Sequence, residues 1–531
     1  MPRTDVLGRI LARAADELRL IVEKAELSPG SFTLGQMEAS VLVAVRNIAV
    51  FALSELCGIG QKRHKQRVRG HSDVGDGKHR LPFIGFRWRR VLTLFGWIRF
   101  RRAYYHNADL KDSRWPREEE LGLAPDQIWS PGLQDNADYG ATVTGSYQGS
   151  AKILEKFLGV EVHYKQIQRD CLDVGADLAA VQKQQAEAAL EVKERPVSPL
   201  QKDGPECATI FTDGTIVDSH SSRGGSGLEV KVGRVDVACL QKSTQVPNAP
   251  PRDAETPTPA PEDTSRDAET PIPATDKRQQ ELAELKESRE QRQYQAATKL
   301  VKEALAEAAP DRYEQAIYRP SNPTSHYCAT AEKGAEVIGA LLWALAASVG
   351  VERAAVVLFL ADGAHWCWNL CTDHFPQAIQ ILDIFHLAKH LQKAGGAFFG
   401  ERSEGAKDWA REILVEILRG HLEEVLKKLA GLSFLDKIKR EALHEIQTYL
   451  ENNRKRMDYP RYIAAGYIIS SAAIEGTCGT VIGDRMTGSG RGWDVPGADA
   501  MARLRALYFS GEWDAFYRER QDRIVRQLRV A

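Results

Sequence analysis

"AAVVLFLADGAHWCWNL", residues 354–370, decides how the rest of the chain is read. The run 354–361 has no polar interruption, which is the pattern of a strand buried on both faces in a parallel sheet. It ends on Asp362 and Gly363. An acid followed by glycine at a strand terminus is a turn former by default. It becomes a functional residue only if partners for it exist elsewhere in the chain.

Two further segments supply such partners. "ATIFTDGTIVDSH" (208–220) and "GLEVKVGRVDVACL" (227–240) read as three short strands joined by tight turns, with a second Asp-Gly pair at Asp213 and Gly214. "AIQILDIFHLAKHL" (378–391) adds a strand and a following helix, and with them Asp383, His386 and His390. Antiparallel meander, helix, strand, helix, strand, helix is the order of an RNase H-like domain, a mixed α/β core with its central strands adjacent. "SSAAIEGTCGTVIGDRMTGSGRGW" (470–493) offers Glu475 on a helix whose Gly476, Gly479 and Gly483 share one face, bare enough for another backbone to approach. From the residues alone, Glu475 in an exposed glycine-rich loop stays an alternative, and Asp383 and Asp218 stay in reserve as third acids.

Cleaving or joining a phosphodiester requires an activated oxygen on one side and a stabilised leaving oxygen on the other. Two Mg²⁺ ions held by hard carboxylate oxygens do both, and Mn²⁺ can substitute. Asp213 and Asp362 are the expected bridging ligands, with Glu475 completing the set. "HWCWNLCTDH" places Cys367, Cys371 and His374 at i, i+4 and i+7, a spacing that suits zinc but suits buried small side chains as well.

The bulk numbers exclude little. The chain has 531 residues, 43% hydrophobic and 27% charged, with a net charge of −1, ordinary for a soluble protein of several domains. Eight cysteines without a CxxC pair suit a reducing compartment. The first twenty residues form an amphipathic helix pattern, not a signal peptide. The apolar run 337–351 is too short to span a bilayer and reads as a buried helix. No membrane partner and a cytoplasmic location are expected.

Charge is concentrated instead. Residues 62–102 hold 13 Lys or Arg against two acids. Within them "RWRRVLTLFGWIRFRRAYYH" (87–106) reads as a two-strand ribbon turning at Gly96. Its Arg87, Arg89, Arg90, Arg99, Arg101 and Arg102, interleaved with aromatics, suit nucleic acid. "SAKILEKFLGVEVHYKQIQRDCLDV" (150–174) has helix-turn-helix order, with Tyr164, Lys165 and Gln166 opening the second helix. Arg485, Arg491 and Trp493 are candidate DNA contacts beyond Glu475. Residues 241–276 repeat "RDAETP" and carry too few large apolar residues for a core; they run into a charged pattern (277–309) that reads as a solvated helix.

The C-terminal stretch 449–517, together with the surroundings of Asp213 and Asp362, resembles the Kra-type insertion-sequence transposases, bacterial Asp-Asp-Glu enzymes with an RNase H-like catalytic domain. The resemblance covers about 120–517 apart from the insertion. It implies Asp213, Asp362 and Glu475 as catalytic metal ligands, an all-helical insertion before Glu475, double-stranded DNA (element ends and target) as partner, and a dimer or larger assembly on DNA in the bacterial nucleoid. The family's paired cysteines after the ribbon are missing here. The resulting organisation is an N-terminal helical region (1–60), a basic ribbon (61–120), a helix-turn-helix region (121–200), a core in two parts (201–240 and 311–395) split by an insertion (241–310), a helical insertion (396–460) and the Glu475 helix with a helical C-terminus (461–531). A co-opted DNA-bound regulator and a structure-selective nuclease are the alternatives.

Overall fold

The computed structural model of the protein describes residues 4–27, 30–59, 81–109, 111–193, 205–219, 227–238, 292–310, 323–488 and 491–530. Lys62, Arg63, Lys65, Arg67, Arg69, Lys78, Arg80 and the "RDAETP" repeat lie outside them. The described chain is mixed α/β, with a three-stranded and a five-stranded sheet. It divides into two units, Met1–Gly175 with Gly511–Ala531, and Ala176–Ser510.

In the first unit, helices α1 (Thr4–Leu27) and α2 (Leu34–Gly58) pack on each other. Thr33 and Gln36 form a reciprocal cap that starts α2. By length and composition α2 is apolar enough to cross a membrane, and only 6% of its most apolar window is buried; the sequence reading passed over it. Its second half has a partner. Val50, Leu53 and Cys57 pack against Leu123 and against Val91, Ile98 and Phe100, the last three on the inner face of the hairpin β1 (Phe83–Thr93) and β2 (Gly96–Asn107). The ribbon turns before Gly96, as its sequence suggests, with Gly96 at φ 123°, and a short third strand, β3 (Asp112–Arg114), pairs antiparallel with β2.

The period of two then sorts the arginines. Trp88, Arg90, Trp97, Arg99 and Arg101 are exposed, as is Arg87. Arg89 and Arg102 are turned inward and pair with buried Glu118 on α3 (Pro116–Leu121), Arg89 Nε at 3.0 Å. These two are therefore structural and not available to DNA, a correction to the reading of all six as a binding surface.

After α4 (Pro131–Val143), helix α5 (Tyr147–Ile153) runs through a π-helical turn to Gly159 at φ 62°, and α6 (Tyr164–Lys193) follows. The C-terminal helix Trp513–Val530 joins this unit through polar ties to α4: Tyr517 OH donates to Asp138 Oδ2 at 2.8 Å and Trp513 Nε1 to Asp135 Oδ1 at 2.8 Å.

In the second unit, β4 (Cys207–Val217) and β5 (Leu228–Ala238) pair antiparallel along their whole length. The described residues of this region thus make two long strands where three short ones were expected, and Gly214 lies inside β4. The helix α7 (292–308) buries Ala297, Leu300, Val301, Ala304 and Leu305, so this part of the charged segment has an apolar face at helical spacing instead of being solvated all round. The third antiparallel strand, β6 (Thr324–Thr330), comes after it. The apolar run ahead of Glu352 forms the buried helix α8 (Ala335–Ser348), packed on β5 and β6.

The opening segment forms β7 (Val356–Ala361), parallel to β4, then α9 (His365–His374), and β8 (Ile379–Leu382) parallel to β7. The sheet order is β6-β5-β4-β7-β8. Helices α10 (Ile384–Phe399), α11 (Glu404–Leu418), α12 (Leu422–Ala430) and α13 (Lys437–Asn453) follow. Then come α14 (Ala472–Thr477), which carries Glu475, and α15 (Val495–Phe509), packed on β6.

Replacing Glu118 by Ala leaves two inward guanidiniums without their counter-charge. The expected loss is about 3–5 kcal/mol of stability, read from denaturant unfolding, whereas Arg90→Ala on the outer face stays within about 0.5 kcal/mol.

Candidate active site

The β4–β7 register positions the first two acids. The last paired residues are Phe211 and Leu360, and Asp213 and Asp362 each lie two residues beyond. Side chains repeat every second residue along a strand, so the two carboxylates leave adjacent strands toward the same face. Asp213 Oδ1 accepts from Gly214 N at 2.7 Å. Asp362 Oδ1 accepts from Ala364 N at 2.8 Å and from the Cys367 thiol at 3.8 Å. Gly363 has φ 101°, and a Cβ there would meet the Tyr449 ring at 3.0 Å; the turn closes because this residue is glycine. Tyr449 OH donates to the Asp362 carbonyl at 3.1 Å.

Glu475 is held from two sides. Arg234 on β5 donates to the Ala473 carbonyl at 2.9 Å and to Thr477 Oγ1 at 3.1 Å, while its other nitrogens engage Asp236 and Ser325. This fork fastens α14 to the sheet. Lys389 Nζ on α10 donates to Glu475 Oε1 at 3.2 Å. The three glycines do not share one α-helical face, because α14 ends at Thr477 and Cys478–Gly483 form a π-helical turn; a Cβ added at Gly476 or Gly479 would meet nothing within 4 Å, whereas one at Gly483 would meet the Cys478 carbonyl at 3.6 Å. Neither Arg234 nor Lys389 was singled out in the sequence. The alternation that puts Arg234 and Asp236 on one face of a strand, and the i+3 spacing from His386 to Lys389, were the available signals.

The three carboxylates feel one another. Burial pushes the Asp213 carboxyl up to about 6, and the charges of Asp362 and Glu475 add to the rise, against the Gly214 hydrogen bond and nearby His386. Asp383 plays a different part. It is fully buried and caps α10: Oδ2 accepts from His386 N at 2.8 Å and pairs with His386 Nδ1 at 2.8 Å, and Oδ1 accepts from Ser471 N at 2.6 Å. Burial would raise this carboxyl, but the His386 and Ser471 contacts outweigh it and hold it below its ordinary value. Asp383 is thus a structural anchor and not the third ligand. Asp218 is exposed, and its carbonyl accepts from Trp493 N at 2.9 Å.

The donor chemistry fits divalent cations: hard carboxylates just beyond the paired part of two adjacent strands, Asp213 inside β4 and Asp362 after β7, with Glu475 within electrostatic reach of Asp213. Among the described residues, however, no group of three His, Cys, Asp or Glu is placed to hold a metal ion, and Glu475 is engaged by Lys389. The same holds for the zinc spacing on α9: among the described residues its Cys367, Cys371 and His374 form no such group, and both cysteines are buried, as small packed side chains would be.

The remaining candidates divide. Lys165 is exposed at the start of α6, and Tyr164 stacks on His163 at 4.7 Å, with Gln166 half-buried beside them. Arg485 and Trp493 are buried and stacked at 5.1 Å, and Trp493 Nε1 donates to the Met486 carbonyl at 2.9 Å. Arg491 donates to the carbonyls of Asp484, Arg485 and Thr487. This trio braces the loop after Glu475, which corrects its reading as a DNA contact.

Residues 76–204 match the model of an uncharacterised protein family, UPF0236. That segment contains the ribbon and the α5–α6 pair and ends before Asp213. No curated protein matches the chain.

With its pKa near 6 against about 3.9 for a free Asp, the folded Asp213 holds more protons than the unfolded chain between those values. Its stabilising contribution is complete below about 4 and is lost as the pH rises through 6. Asp213→Asn is therefore expected to melt about 2–4 °C above the parent at pH 7.5 in chelator, with the gap closing at pH 4, by calorimetry.

Proposed function

We propose that this protein is a DNA transposase that cleaves at insertion-sequence ends and joins them to target DNA. The single observation that carries the reading is the equal offset of Asp213 and Asp362 beyond the paired part of two adjacent parallel strands, with the charge of Glu475 acting on Asp213. The sheet order β6-β5-β4-β7-β8, three antiparallel strands continued by two parallel ones, supports an RNase H-like core. The resemblance of the segments around all three acids to Kra-type transposases points the same way.

Bound Mg²⁺ ions, or Mn²⁺ in their place, supply the Lewis acidity that activates the attacking oxygen and stabilises the leaving one. The chain's part is to hold and orient. Asp213 inside β4 and Asp362 just after β7 would hold the ions, and Glu475, paired with Lys389 in the structure, would complete the ligand set. Lys389 and His386 offset part of the cluster's negative charge. The open surface at Gly476 and Gly479 would admit a DNA backbone beside Glu475. Water first breaks the phosphodiester at the element end. The freed 3′-hydroxyl then attacks a target phosphodiester, forming one P–O bond and breaking another. A homodimer or larger assembly would bring two ends together.

Asp362→Asn is expected to abolish Mg²⁺-dependent cleavage and joining of labelled end DNA while leaving binding intact. Loss of a group that only supports a ligand costs roughly 10–100-fold, so Asp383→Asn should fall in that smaller class. Unchanged cleavage by Asp362→Asn removes the assignment, and DNA binding by the parent without any cleavage favours a regulator.

A further inference from the structure

The ribbon's outer face has an order that the first reading of its composition did not contain. β1 and β2 carry six arginines and no acid between Phe83 and Asn107. Cross-strand pairs put Trp88 opposite Arg101, Arg90 opposite Arg99 and Leu92 opposite Trp97, so these residues share one face. Each arginine of these pairs lies over an aromatic ring on the opposite strand: Arg90 over Trp97 at 4.6 Å, Arg99 over Trp88 at 4.1 Å, and Arg101 over Phe86 at 5.1 Å. In each case the ring is one pair away on the diagonal. Both tryptophans stay about half exposed, Trp88 at 55% and Trp97 at 46%. The opposite face is already filled by α2 and Glu118.

We propose that this face is a preformed grip for the sugar–phosphate backbone of duplex DNA, in which the aromatic rings are shelves that hold three guanidiniums in place. Charge complementarity selects the occupant. Among the described residues no carboxylate pairs with Arg87, Arg90, Arg99 or Arg101, so their charge is available to a polyanion. A flexible arginine loses side-chain entropy on meeting a phosphate; one already laid on an indole has lost part of that freedom beforehand. With each guanidinium laid over a ring, the face presents fixed positive charge, which pairs with phosphates whatever the base sequence. The contact proposed is therefore with the backbone. The choice of duplex DNA rests on the transposase reading; the grip itself does not involve the carboxylates.

The test uses the full chain carrying Asp362→Asn, so that cleavage plays no part, and a labelled duplex of arbitrary sequence followed by anisotropy across a salt series. Arg90→Gln/Arg99→Gln/Arg101→Gln should weaken binding about tenfold or more at low salt and flatten the log–log salt slope by about 2–3. Trp88→Leu/Trp97→Leu should weaken binding severalfold with the slope kept, because the charges remain. A charge-matched control, Lys407→Gln/Lys427→Gln/Lys437→Gln, should leave both nearly unchanged. All the altered side chains are exposed, and melting curves equal to the parent's verify the fold. The proposal is overturned if the arginine triple binds duplex like its parent, if the lysine control loses as much as the arginine triple, or if the arginine triple loses only binding to anionic phosphatidylserine vesicles. A protein that grips duplex through these arginines, yet cuts nothing when Asp362 is restored, upholds the grip and removes the transposase.

Discussion

The second unit is organised around one buried carboxylate. Asp383 sits at the junction of β8 and α10, where its own N–H donates to the carbonyl of Ala361. Its two oxygens take the first turn of α10 and the backbone of Ser471. One residue, through its backbone N–H and its carboxylate, thus links the residue before Asp362, the helix bearing His386 and Lys389, and the segment that leads into Glu475. A buried charge is tolerable only when its lone pairs are filled, and here the filling is done by the elements that must meet. Three acids distant in sequence share a neighbourhood because a fourth has given up any exposure of its own.

Much of this was legible beforehand. The uninterrupted run before Asp362 announced a doubly covered strand, and the alternation of 87–106 announced a hairpin. What failed, failed for identifiable reasons. Gly214 looked like a turn because glycine usually marks one, yet here it lies where a Cβ would meet Glu229 Oε1 at 2.8 Å. The apolar stripe of α7 was masked by the charges around it. Alternation tells which residues share a face but not which face another element will cover. Arg89 and Arg102 therefore could not be told from Arg90 and Arg99 until Glu118 was placed. Arg485 and Trp493 misled similarly, since a basic residue near an aromatic describes a stacked core pair as well as a DNA contact.

The same chemistry thus serves two ends in one chain. Guanidiniums facing inward are neutralised at short range and contribute order, as Arg234 does between β5, β6 and α14. Guanidiniums facing outward rest on rings and keep their charge. At the acid cluster the arrangement costs stability, since like carboxylates repel and Asp213 is held away from its preferred charge state. Lys389 and His386 relieve this only in part. Strain of this electrostatic kind is common where a protein acts instead of merely folding.

The separation of β5 from β6 has a consequence for how such a chain can vary. The two strands are hydrogen-bonded neighbours, yet residues 239–323 intervene between them. The entropy of closing a loop rises only with the logarithm of its length, about 0.6 kcal/mol for each doubling. Once a connection is this long, further lengthening is nearly free for the sheet. Slippage that duplicates a short repeat such as "RDAETP" can therefore accumulate at this joint without threatening the strands on either side. The sheet tolerates growth in its chain there more readily than beside Asp362, where even a Cβ on Gly363 would press on the Tyr449 ring at 3.0 Å.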